Sequence, residues 1–398
     1  MIYRERPTAC SRARLGKAFP SHDRWGSVLC GLLLAGAVPS CAQSGKPLPP
    51  LLKDAFKDSF RVGAALNPRQ FTEEDTRGAD IVKAQFNTIS PENVLKWGSI
   101  HPRADAYNFA RADLYVAFGE KNKMFIIGHC LVWHSQTPKW VFQNDKGDDA
   151  DRETLLQRMR DHIQTVVGRY KGRIAGWDVV NEALNEDGTL RKTPWLRIIG
   201  EDYIAKAFQF AHEADPAAEL YYNDYSLESE AKRKGAVELI RKLKGQGVPV
   251  TAVGLQGHDG MEWPTVAQQA AAIEAFAKLG VKVNITELDV DVLPGSIEER
   301  SADVSLSAEA RAQLNPYAGG LPEAVQQALA KRYADLFGVF MKYRGTITRV
   351  TFWGVTDGDS WLNNFPVRGR TNYPLLFDRQ GQAKPAFEAV IRAARQAP

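Results

Sequence analysis

Two glutamates stand where apolar runs give out. Glu182 closes "IAGWDVVNE" and Glu287 closes "VKVNITE". A pair of carboxyl groups facing one substrate can cleave a glycosidic bond. One, protonated, gives its proton to the leaving oxygen, and the other, ionised, attacks or stabilises the anomeric carbon. A single glutamate at a strand end more often neighbours a helix cap or joins a surface ion pair. Two, among many Trp and His residues, weight the reading toward chemistry. Glu92 and Asn93, His129 and His134, Asn181, Asn223 and Asp224, Gln256 and His258, Asp289 and Asp357 also fall at ends of apolar runs. Trp133, Trp353 and Trp361 lie on or just after such runs, and Trp97, Trp140 and Trp263 lie in loops near them. Indole faces stack on sugar rings while amide, imidazole and charged groups bind the hydroxyls. Trp177, in mid-run, reads as core. The histidines allow a rival, a metal-dependent hydrolase using His129, His134 and His258 with Glu182 or Asp289. No His-x-His pair follows the first run and no HExxH occurs, so no metal is expected.

The elements that must position these groups follow from the runs themselves. They span 61–66, 86–90, 124–133, 174–180, 219–225, 252–258, 281–288 and 349–357, with amphipathic helical stretches such as "RETLLQRMRDHIQTVVGRY" between them. Eight strands apolar on both faces, alternating with helices, predict a parallel sheet closed into a (β/α)8 barrel. An open doubly wound sheet would want a Gly-rich phosphate turn after its first strand, and "GAALNPRQF" lacks one. In a parallel barrel all C-terminal strand ends share one face, so the polar residues above converge on a single mouth.

Of 398 residues, 44% are hydrophobic and 25% charged, an ordinary globular composition. Residues 1–42 read as an export leader: basic residues Arg12, Arg14, Lys17 and Arg24 precede the uncharged "VLCGLLLAGAVPSCA". Residues 43–50 read as a linker and 51–394 as one catalytic domain. The leader's six Lys/Arg and two Asp/Glu account for the whole formal charge of +4, leaving 45 of each sign. A neutral remainder gives no support for a nucleic-acid partner. Cys10, Cys30 and Cys41 lie in the leader, which leaves Cys130 alone and no internal disulfide. An exported protein, secreted or periplasmic, is expected, with no membrane attachment unless Cys41 is lipidated.

"FNTISPENVLKW", "GHCLVWHSQTPKW", "WDVVNEA", "YYNDY", "VGLQGH", "ITELDV" and "TFWGVTDGDSWL" resemble, in order, the strand-end motifs of glycoside hydrolase family 10, the endo-β-1,4-xylanases. The resemblance runs over residues 50–392 and implies a barrel that hydrolyses xylan and xylo-oligosaccharides with retention; a monomer needing no cofactor is expected. It implies that Glu182 is the acid/base and Glu287 the nucleophile. Glu92, Asn93, Lys96, His129, Trp133 and Gln256 would hold the sugar on the non-reducing side. Asn181 would bind its 2-hydroxyl, and Trp353 and Trp361 would cover it. Asn223 and Tyr225 would face the leaving group. His258 and Asp289 would form a chain, Asp289–His258–Glu287, that keeps the nucleophile ionised. Cys130 stands where the family leads one to expect Thr, and the long segment 291–323 either shapes the leaving-group side or is a solvated flap.

Overall fold

The computed structural model describes residues 51–294 and 314–396. The leader, the linker, Cys41 and most of the 291–323 segment lie outside these residues. The eight apolar runs are strands β1 (Arg61–Leu66), β2 (Thr88–Pro91), β3 (Phe125–Val132), β4 (Gly176–Asn181), β5 (Glu219–Asp224), β6 (Ala252–Leu255), β7 (Lys282–Asp291) and β8 (Ile347–Phe352). Each pairs in parallel with the next. β8 returns to β1, with Arg61 opposite Arg349 and Ala64 opposite Phe352, so the sheet closes as a (β/α)8 barrel.

The helices that wrap it are α1 (Thr76–Gln85), α2 (Ala110–Lys121), α3 (Arg152–Arg169), α4 (Tyr203–Ala214), α5 (Glu230–Gly245), α6 (Val266–Ala277), α7 (Glu323–Lys342) and α8 (Pro385–Gln396). Their starts are set locally. Asp75 and Asp151 accept from the third backbone amide of α1 and α3, and Thr265 forms a reciprocal capping box with Gln268. Among the described residues no helix is long and apolar enough to cross a membrane.

Within the strands, small residues make room for large ones. A Cβ on Gly128 would lie 2.1 Å from the Trp177 ring, and one on Gly254 would lie 2.2 Å from Asn223 Oδ1. Gly254 is therefore the vacancy into which the Asn223 amide is set beneath the mouth. Three strand ends depart from the sequence reading, and of these β7 runs on past Leu288 to Asp291. β6 stops at Leu255 because Gly257 turns at φ +76°, and a three-residue strand, His258–Gly260, then pairs with Asp289–Asp291. β8 stops at Phe352 because its last ladder bond is Trp353 N–H to Leu288 O, and Gly354 then turns at φ +134°.

Beyond that turn, Asp357 is fully buried and bound to Lys384, the residue just before α8, at 2.9 Å. The same ammonium donates to the carbonyls of Tyr373 and Leu375, each at 2.7 Å, so all its protons are used. Burial pushes the Asp357 carboxyl up to about 6 against the pull of Lys384, and burial also lowers Lys384. Removing one partner strands the other charge in the interior. Lys384→Met is expected to cost about 3–5 kcal/mol in a urea titration. A loss under 1 kcal/mol would show that the pair does not hold the loop after β8.

Candidate active site

β4 pairs with β5, through a register shift between Asp178 and Val180, as far as Asn181 opposite Asn223, and the Glu182 amide still donates to the Asn223 carbonyl at 2.9 Å. There the chain breaks from the sheet: Glu182 has φ +57°, a left-handed conformation that costs a side-chain-bearing residue about 1–3 kcal/mol. The half-buried carboxyl is then held by three donors. Trp133 Nε1 donates to Oε2 at 2.8 Å, while Gln256 Nε2 (3.1 Å) and Asn181 Nδ2 (3.3 Å) donate to Oε1.

Glu287 is 5% exposed. Asn223 Nδ2 donates to its Oε1 at 2.8 Å, and His258 Nε2 meets its Oε2 at 3.3 Å. His258 Nδ1 lies 3.0 Å from Asp289 Oδ1, and Trp361 Nε1 donates to Asp289 Oδ2 at 2.8 Å. The Asp289–His258–Glu287 chain is thus present, with Trp361 pinned to its far end. Burial alone would discharge His258, yet the two carboxylates outweigh it and raise the imidazole to about 10. Burial would likewise raise Glu287, but the His258 hydrogen bond and the nearby cationic groups prevail and hold it below the usual range. Asp289, buried deepest, is raised by desolvation against the charge and hydrogen bond of His258.

His258→Asn removes that charge and raises the pH at which Glu287 takes up a proton. The acid limb of kcat/KM is expected to move upward by roughly one to three pH units. An unmoved limb in a folded variant would separate His258 from the ionisation of Glu287.

The two carboxylates are joined by an unbroken path. Asn223 Nδ2 donates both to Glu287 Oε1 and, at 2.9 Å, to Asn181 Oδ1, and Asn181 Nδ2 reaches Glu182. Thr286 Oγ1 closes the remaining side of Asn223 by donating to its Oδ1 at 2.6 Å. Asn223 is fully buried and its amide hydrogens are both engaged, so it has no donor left for a sugar. The structure places it beneath the two carboxylates rather than against the leaving group.

The other expected residues surround this path. Lys96 donates to Asn93 Oδ1 at 3.0 Å and stands 5.0 Å from the Trp133 ring centroid. Glu92 is raised to about 7 by burial and by the charge of Asp359, with Lys96 opposing. Trp353 stands edge-on to His129 at 5.3 Å and to His258 at 6.3 Å. Tyr225 lies on the Glu182 side, with the buried Lys232 ammonium 3.4 Å from its ring centroid. Trp97 proves not to belong to the mouth: it is 2% exposed and stacks on His162 at 3.6 Å. Sequence reasoning passed over Thr286, Arg191 and Asp178. Asp178 binds His129 Nδ1 at 2.9 Å, and its signal was visible as a lone acid inside the apolar run "GWDVV". Among the described residues no cluster of three His, Cys, Asp or Glu has metal-site spacing.

A parallel barrel whose C-terminal mouth presents two bridged glutamates among tryptophans has the layout of a barrel glycoside hydrolase. The chain belongs to glycosyl hydrolase family 10, whose sequence model matches residues 51–393. It is 46% identical over 343 residues to endo-1,4-beta-xylanase A of Xylanibacter ruminicola, covering 86% of this chain and 93% of that one. It is 42% identical to endo-1,4-beta-xylanase B of Paenibacillus barcinonensis, covering 86% and 98%. Among solved structures, a family 10 endoxylanase from a sugarcane soil metagenome superposes with a TM-score of 0.82 at 46% identity, covering 86% of this chain and 99% of that one.

Proposed function

We propose that this chain is a retaining endo-β-1,4-xylanase that works by double displacement. The observation that carries the reading is the bridged carboxylate pair in unlike surroundings. Glu287 is buried, held ionised and aimed by Asn223 and His258, as a nucleophile must be. Glu182 is half-buried on a turned-out backbone, and its carbonyl shares the Arg191 guanidinium with the Tyr225 hydroxyl. In the first step Glu182 gives its proton to the departing oxygen while Glu287 Oε attacks the anomeric carbon, forming a glycosyl ester. The ester carries no charge, so Glu182 is no longer faced by a neighbouring anion and can serve as base. It then takes a proton from water as that water displaces Glu287. Asn181, bonded to Glu182 and reached by Asn223, would bind the hydroxyl next to the reacting carbon. Similarity to proteins named endo-1,4-beta-xylanases supports xylan as substrate.

The test is to digest glucuronoxylan, with carboxymethyl-cellulose alongside, and follow the fresh reducing ends by proton NMR. β-Anomers appearing first, from xylan alone, support the reading. α-Anomers first would remove Glu287 as nucleophile, and cleavage of the glucan alone would change the substrate.

A further inference from the structure

We propose that Arg191 is the positioning residue that holds Glu182 in its proton-donating pose by gripping the backbone of the left-handed turn. The proposal rests on the acid/base reading of Glu182. At the end of β4 the Glu182 amide remains in the sheet ladder, but φ +57° swings its carbonyl away from the strand path. That carbonyl needs a new donor, and Arg191 Nε supplies it at 3.2 Å. Arg191 Nη2 donates at 2.9 Å to the carbonyl of Leu184, and the Arg191 amide donates at 2.8 Å to that of Ala183. One residue thus ties three successive carbonyls, those of the glutamate and of the two residues after it.

The fork reaches further. Nη2 also donates to the Tyr225 hydroxyl at 2.8 Å, which joins the turn to the Tyr225 ring. The hairpin that carries Arg191 is itself fixed: Leu184 bridges Leu190, and Gly188 packs so closely on α5 that a Cβ there would lie 2.6 Å from the Ala231 carbonyl. A planar guanidinium can serve divergent acceptors at once, which an ammonium cannot do in the same geometry. If the grip is lost, Glu182 is free to relax toward an ordinary backbone conformation. Its carboxyl then leaves the donors Trp133, Gln256 and Asn181 that aim it. Arg191 touches no reacting atom in this account and acts through Glu182.

The test compares Arg191→Gln and Arg191→Lys with the parent on aryl β-xylobiosides of graded leaving-group acidity, with thermal melts to check folding. For the phenyl substrate, kcat/KM is expected to fall ~100-fold, the lower end of what a positioned acid contributes. For the dinitrophenyl substrate, which leaves without a proton, the loss should stay within a few-fold. Arg191→Lys should lie between, and serves as the probe if the Gln variant does not fold. Adding Arg191→Gln to Glu182→Ala should cost nothing further, because both changes remove one function. A loss equal across the leaving groups, or one that adds fully to Glu182→Ala, would reduce Arg191 to a brace of the hairpin. A Glu182→Ala enzyme indifferent to leaving group would sink the acid/base reading itself, and the proposal with it.

Discussion

Glu287→Ala is expected to lose turnover on xylan and on activated aryl xylosides alike, by roughly 10⁴–10⁶-fold. The carboxylate is the convergence point of the mouth. Asn223 is locked by Thr286, Asn181 and Gly254 so that its donor meets Glu287 Oε1. His258 is charged by Asp289 and donates to Oε2. An alanine leaves both donors aimed at nothing that can attack the anomeric carbon, and a good leaving group cannot supply the missing nucleophile. Asp289 still neutralises the imidazolium, so the variant should fold. The measurement is kcat/KM on dinitrophenyl β-xylobioside, with and without azide. Azide, entering the space of the lost carboxylate, should restore an α-glycosyl azide, a product of inverted configuration. Activity within tenfold of the parent would mean that Glu287 is not the group that attacks.

Much of this site was legible in the sequence, because a barrel sends every strand end to one face. An acid that ends an apolar run therefore has few places to go. Glu182, Glu287, Gln256, His258 and Asp289 were visible in that way, and so was the barrel, from eight runs with helices between them. The position of Trp361 was visible as well, but its bond to Asp289 72 residues away was not.

What stayed hidden depends on contacts without a local pattern. Asn223 looks like any polar residue at a strand end. Its burial follows from Gly254 on the neighbouring strand, which leaves the space its amide fills. Trp97 follows a strand among polar residues, yet His162 on α3 covers its face and removes it from the mouth. Arg191 stands in "EDGTLRKTP", a stretch with every mark of a solvated loop. Only the left-handed turn at Glu182, nine residues earlier, gives its guanidinium carbonyls to bind. Such roles are set by backbone direction, which composition does not encode.

Glu182→Ala should divide substrates by their need for a proton. On xylan, whose leaving hydroxyl is a poor one, kcat/KM is expected to fall ~10²–10⁴-fold. On the dinitrophenyl xylobioside the glycosylation step should stay within about tenfold of the parent, since the phenolate departs without protonation. Deglycosylation should slow on every substrate, because the same side chain is the base that activates water. The glycosyl ester would then accumulate, giving a burst of dinitrophenol followed by a slow steady state that azide speeds up. The substitution should be tolerated by the fold. Alanine at φ +57° carries no more strain than glutamate, and Glu182 is itself half-buried, so water can enter the space its side chain leaves. Loss of the dinitrophenyl burst as complete as the loss on xylan would place the proton donor elsewhere. The next carboxyl to test would then be Glu92, which burial and Asp359 raise to about 7.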